Sequence, residues 1–176
     1  MQRFRSHPRT HGGDPVTAPV ALAPAPEPTA AAPHGAVIER PGLLTTVQDW
    51  PGRTGYWHVG VPPSGPMDDL SFRLGNRALG NDEGAAGLEC TMAGPALRFT
   101  EPTWVCVTGA PVTVTVAGHP VPLWRPVLVP AGELLDIGSV RGPGMRCYLL
   151  VSGGLRLPPY LGSGATFTLG RFGGVD

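Results

Sequence analysis

The sequence predicts a mainly β domain with one early helix, carried behind an extended N-terminal arm. Three observations predict it. From residue 84 onward, short apolar runs recur at regular intervals, punctuated by turn formers drawn from 26 Gly and 22 Pro. Only one stretch, Met67 to Leu79, carries apolar residues at helical spacing. Residues 1–36 hold seven Pro in an Ala/Pro alternation without periodic apolar pattern. Such a segment buries too little surface to offset its ordering entropy and reads as a disordered arm.

Taken in order, Val37–Glu39 and Leu43–Gln48 read as two short strands broken at Pro41-Gly42. The turn-rich Gln48–Tyr56 follows, then the rigid loop Gly60–Pro66. In the helix, Met67, Leu70, Leu74 and Ala78 form one apolar stripe, expected to face the core. Asp68 and Asp69 sit in the first turn and Arg73 and Arg77 late, both favourable to the helix dipole. Gly80 is the stop. Gly75 costs roughly 1 kcal/mol against Ala, so close packing of another backbone is expected there.

Strands are then predicted at Gly87–Met92, Ala96–Phe99, Trp104–Thr108 and Val112–Val116. Ala117-Gly118 offers a hairpin turn to His119–Leu123. Val127–Val129, Leu134–Ile137 and Met145–Val151 complete the series, which suits a barrel or sandwich. The stretch after Leu161 reads as a loop entering further structure, and no internal repeat is visible.

Composition removes several functions. All 13 basic Lys/Arg residues are Arg, so a Walker A lysine, a Schiff-base lysine and a biotinylated lysine are impossible. Net charge is zero, without the basic footprint of a nucleic-acid binder. No apolar run is long enough for a signal h-region or a membrane span. Cys90, Cys106 and Cys147 lie apart in strand-like runs, without metal-ligand spacing. They read as buried thiols in a reducing compartment, hence a cytoplasmic protein. No metal site is expected, and no nucleic-acid or membrane partner.

The chemistry-bearing residues allow bland and functional readings side by side. The elbow pattern G-x-S-x-G is absent and only His58 and His119 lie in the folded part, which disfavours a Ser/His mechanism. Asp49 and Arg53, four apart, either form a loop ion pair or point at a polar or carboxylate substrate. Asp68 is a helix first-turn residue or an acid, and Asn81 a turn residue or a contact. Glu89 interrupts an apolar run beside Cys90, so it either faces solvent or has a partner or a function.

The motifs in sequence are LLTTVQDWPGRTGY, GVPPSGPMD, SFRLGNRALGND, LECTMAGPALRF, VTGA, PAGELLDIG, GMRCYLLVSGG and PPYLGS. In order and spacing, across residues 37–176, they resemble the family of allophanate hydrolase subunit 2, the 5-oxoprolinase C subunit and biotin-dependent carboxyltransferase domains. The resemblance implies a partial cyclophilin-like β-barrel and the N-terminal part of a longer domain, apparently truncated. It implies one component of an ATP-dependent 5-oxoprolinase-type amidohydrolase, inactive alone. A subunit-B-like partner, with room for an A-type subunit, and a small amide or lactam substrate go with it, with ATP shared among those components. The alternatives are a carboxyltransferase domain of a urea-carboxylase system, with biotin on another chain, or a non-catalytic binding partner or remnant. By position the resemblance assigns Asp49, Arg53 and Ser64 as catalytic and Gln48, Asp68, Asn81, Glu89 and Thr91 as substrate-binding. Local departures are the Trp50-Pro51 step, Gly75 and Gly164-Ala165.

Overall fold

A computed structural model describes residues 35–175, and the arm expected at 1–36 lies outside these except for its last two positions. Where alternation runs at period two the chain forms strands, and they pair into two antiparallel sheets. The first sheet holds β1 (Ala36–Arg40), β4 (Ala96–Phe99), β9 (Leu134–Val140), β6 (Val112–Val116) and β7 (His119–Val121), in that order. The second holds β2 (Leu44–Gln48), β3 (Gly87–Thr91), β10 (Arg146–Val151), β5 (Thr103–Gly109) and β8 (Val127–Val129). The two sheets do not close into a barrel, and the arrangement is a partial, barrel-like sandwich. Every predicted strand forms, three of them with the predicted ends and the others with ends shifted by up to three residues. Strand β1 begins at Ala36, inside the span assigned to the arm.

Alternation separates two apolar layers. Cys90, Leu97, Val105, Val107, Val114, Leu135, Ile137, Cys147 and Leu149 come from both sheets and fill the space between them. On the opposite face of the second sheet, Cys106, Tyr148 and Leu150 meet Phe72 and Leu79 of the helix. Strand β10 therefore feeds both layers, residue by alternate residue, and is buried on both sides. The three cysteines are free and buried, as small hydrophobes.

Helix α1 (Asp69–Ala78) is shorter than predicted and turned about its axis. Met67, Leu70 and Leu74 are exposed at 72%, 61% and 42%, which corrects the expected buried stripe. The buried face is instead Ser71, Phe72, Gly75 and Asn76. Two anchors set this rotation. Thr108 Oγ1 donates to the Ser71 carbonyl at 2.9 Å, and Gly75 lies so close to the sheet that a Cβ there would come within 2.7 Å of Leu150 Cδ2 and 3.0 Å of Thr108 Cγ2. Gly75 thus marks close packing, but against side chains. Asp68 caps the helix, accepting from Ser71 N at 3.0 Å and from the Ser71 hydroxyl. A single 3-10 turn, Trp57–Val59, adds to the predicted elements. Among the described residues, no helix is long and apolar enough to cross a membrane.

Candidate functional site

Sheet register creates the site. Thr46 of β2 stands opposite Glu89 of β3, Glu89 opposite Tyr148 of β10, and Tyr148 opposite Thr108 of β5. This polar row crosses four strands on the face that carries α1. It ties down the loop entering the helix. Glu89 Oε2 accepts from Met67 N at 2.7 Å and from the Tyr148 hydroxyl at 3.1 Å. The same hydroxyl accepts from Asp68 N at 2.8 Å. Beside the row, Gln48 Oε1 accepts from Gly65 N at 2.9 Å, and its Nε2 donates to Thr46 Oγ1. Side chains from three strands thus hold residues 65–68, a loop already stiffened by proline.

Glu89 is buried and has partners, which settles its two readings against solvent. Its other oxygen accepts from Arg146 Nε at 3.3 Å. Burial pushes the Tyr148 phenol well above its ordinary value, and the neighbouring Glu89 carboxylate pushes it further. Tyr148 therefore remains a donor to Glu89 at neutral pH. Beyond this pair opens a cleft of about 470 Å³ whose wall includes Met67, Asp68, Ser71, Gly109, Met145 and Arg146. The Arg146 side chain is part-exposed in this wall, and its Nη1 is buried without an acceptor among the described residues. A buried donor left unpaired costs about 1–3 kcal/mol.

A second group of predicted residues gathers around the segment 160–173. Asp49 and Arg53 do not pair with each other; both grip this segment. Asp49 Oδ1 accepts from Ser163 Oγ at 2.6 Å and Oδ2 from Gly164 N at 2.7 Å. Arg53 donates from Nε to the Tyr160 carbonyl at 2.9 Å and from Nη2 to those of Ser163 and Ala165 at 3.3 and 2.8 Å. Its guanidinium lies 4.8 Å from the Phe172 ring centroid. Arg53 also lines a smaller pocket of about 320 Å³ with Thr54, Gly55, Trp57 and Pro63. Ser64 is half-buried in the 60–66 loop at φ 58°. Thr91 stands opposite Arg146, two residues along β3 from Glu89 and beside the polar row.

Asn81 stands apart from both groups. It donates to Asn76 Oδ1 and the Val151 carbonyl and accepts from Gly153 N, closing the turn after the helix. Sequence reasoning misses Arg146 and Tyr148. Period two in M-R-C-Y-L-L-V already places them on one face, yet only the pairing of β10 with β3 brings that face to Glu89.

Residues 59–176 match the family model described as carboxyltransferase domain, subdomain A and B. The urea amidolyase of Saccharomyces cerevisiae is 47% identical over 144 residues, 82% of this chain and 8% of that one. The C subunit of 5-oxoprolinase from Escherichia coli is 35% identical over 141 residues, 79% of this chain and 44% of its relative. Among solved structures, the urea carboxylase of Kluyveromyces lactis superposes with a TM-score of 0.77 at 46% identity, covering 79% of this chain and 12% of that chain. The chain spans less than half the length of these relatives.

Proposed function

Since the chain belongs to the carboxyltransferase domain, subdomain A and B family, we propose that it forms the amide-binding part of a larger enzyme. The observation that carries this reading is Arg146, whose part-exposed side chain stands in the wall of the 470 Å³ cleft. An amide presents a carbonyl acceptor and an N–H donor. The Arg146 guanidinium offers a donor for the carbonyl, and the Asp68 carboxylate in the same wall offers an acceptor for the N–H. Glu89 and Tyr148 act as positioning residues, because they fix Arg146 and the 65–68 loop. Gln48 holds that loop from the other side, and Ser64 precedes it in the 60–66 loop. Asp49 and Arg53 position the 160–173 segment, while Thr91 and Asn81 brace the strand and helix ends.

Two finer readings share this geometry. Carboxyl transfer onto a urea-like amide is favoured by the 47% identity to urea amidolyase and by charge. Glu89 and Asp68 are two carboxylates against one guanidinium, Arg146, a balance that disfavours an anionic ligand. ATP-dependent opening of 5-oxoproline is favoured by the 5-oxoprolinase relative, of which the chain covers the larger share, 44%. The residues present do not fit a nucleotide triphosphate: the chain has no Lys, and each of the two pockets is lined by one Arg. Covalent biotin needs a lysine and is placed on another chain, ATP is taken as shared with partner subunits, and the isolated chain is expected to turn over nothing.

The test is turnover in the reconstituted assembly, with a subunit-B-like partner, an A-type subunit, biotinylated carrier, bicarbonate and ATP. Urea-dependent ADP release supports carboxyl transfer. Release driven by 5-oxoproline moves the assignment to the second reading. Silence with both substrates, while the partners form a stoichiometric complex, overturns the proposal.

A further inference from the structure

Helix α1 leaves in water the face that hydrophobic periodicity would bury. Leu70 and Leu74, four residues apart, stand on its outer side and are both exposed. The buried Ser71, Phe72, Gly75 and Asn76 hold this rotation. Trp50, also exposed, extends the patch from the neighbouring loop, with the Arg73 guanidinium 4.3 Å from its ring centroid. Arg73 is drawn to Glu83 at 2.6 Å as well, so it flanks the leucines without covering them. Three large apolar side chains gathered on one side mark an interaction surface, where singly scattered ones would not.

The charges around the patch indicate what covers it. Asp69 stands at the N-terminal end of the helix and Arg77 near its C-terminal end, with side chains 55% and 65% exposed. Each has one loose ion pair within the chain, Asp69 with Arg73 and Arg77 with Glu83, both at 3.4 Å. Both therefore keep capacity for a further partner. A helix with an acid at one end, a base at the other and leucines between is complementary to itself when a second copy runs antiparallel. Leu70 of each copy then meets Leu74 of the other, and Arg77 of each reaches Asp69 of the other, twice by the two-fold axis. The antiparallel order also opposes the two helix dipoles. A net charge of zero adds no long-range repulsion between copies.

We propose that this face of α1 joins two copies of the chain as an antiparallel, two-fold helix pair. The shared patch is small against the roughly 800 Å² per partner of a standard interface, so the dimer is weak, in the micromolar range. It is dissociated at the sub-micromolar concentrations at which each copy's own stability is read. The inference does not rest on the amide reading, since none of these residues lines the Arg146 cleft.

The test is sedimentation equilibrium of the full chain from sub-micromolar to several hundred micromolar, with circular dichroism alongside. The parent is expected to pass from one to two chain masses across that range. Leu74→Glu is expected to weaken association by about tenfold or more with an unchanged helical signal. Asp69→Arg and Arg77→Asp each set like charges against each other at both ends of the pair, and each is expected to weaken it several-fold. An equimolar mixture of those two variants restores opposite charges at both ends. It is expected to associate as the parent does, a recovery that a change in helix stability would not give. A parent that stays single at every concentration overturns the dimer. Association left intact by Leu74→Glu, or a mixture no tighter than its separate components, overturns the antiparallel α1 contact. A chain that stays single yet binds a subunit-B-like partner only with Leu74 intact gives the face to that partner and overturns the second copy. Turnover at the Arg146 cleft is read separately, so either reading can fail alone.

Discussion

Glu89 shows how one residue gathers three donors. Its carboxylate receives Met67 N, the Tyr148 hydroxyl and Arg146 Nε, all from a buried position. Replacing Glu89 by Ala leaves a part-buried arginine and two further donors unpaired, so a loss of about 3 kcal/mol is expected in urea denaturation. Tyr148→Phe removes one donor and one acceptor and is expected to cost only about 1–2 kcal/mol. A comparable loss for both variants would refute this ranking. Alkaline pH tests the buried groups. Burial pushes the Cys106 thiol from 9.0 up to about 11, and Tyr148 moves upward too. Below pH 9 both the folded and the unfolded chain keep the thiol proton, so stability is fully present. Between pH 9 and 11 the unfolded chain releases it first, and stability is expected to fall. Cys106→Val, which cannot titrate, should show a shallower decline over that window in denaturant midpoints.

At the scale of elements, helix α1 decides where the cleft opens. Its buried face of Ser71, Phe72, Gly75 and Asn76 is polar or small at three of four positions. Its exposed face carries Leu70 and Leu74. Hydrophobic periodicity alone therefore points the wrong way, because a glycine contact and a threonine–carbonyl bond outweigh two leucines in fixing the rotation. The expected mutational pattern is correspondingly inverted. Phe72→Ala should cost about 3–5 kcal/mol, whereas Leu70→Ser should stay within about 0.5 kcal/mol. Gly75→Ala gains roughly 1 kcal/mol of helix propensity. Its new methyl, however, meets Leu150 and Thr108 at 2.7 and 3.0 Å, an overpacking worth about 1–3 kcal/mol. Net destabilisation in thermal melts is expected, and a raised melting temperature would show that the sheet yields more readily than argued.

For the whole molecule, the segment after β10 is the part held most by polar clamps. Its β-bridges among the described residues are the isolated Tyr160–Ser163 and Phe167–Phe172, while Asp49, Arg53 and the Val47 carbonyl pin it to the second sheet. Leu169 near its end is 89% exposed. Asp49→Ala should release Ser163 and Gly164 without touching either apolar layer. Limited proteolysis is therefore expected to cut within 155–172 several-fold faster in this variant, leaving the body up to β10 intact. Equal rates with the parent chain would show that the aromatic contacts among Tyr160, Phe167 and Phe172 suffice.

By itself, the sequence determined that this protein is strand-rich with one helix, because period-two runs, Gly/Pro turns and an Asp-to-Gly helix frame act within a few residues. It determined the free, buried cysteines, the absence of lysine chemistry, and, through its motifs, the family. Glu89 was legible as an anomaly, since a carboxylate inside an apolar run demands an explanation. Only the tertiary structure decided that Tyr148 and Arg146 provide it, because they lie 59 and 57 residues away and meet it solely through the β3–β10 register. The same holds for Asp49 and Arg53, whose shared loop suggested a mutual pair. Residues more than 100 positions downstream captured both instead. Local propensity is written in neighbouring residues. Helix rotation, sheet register and the completion of a buried charge depend on which distant backbone arrives at contact distance, and for that the chain must fold.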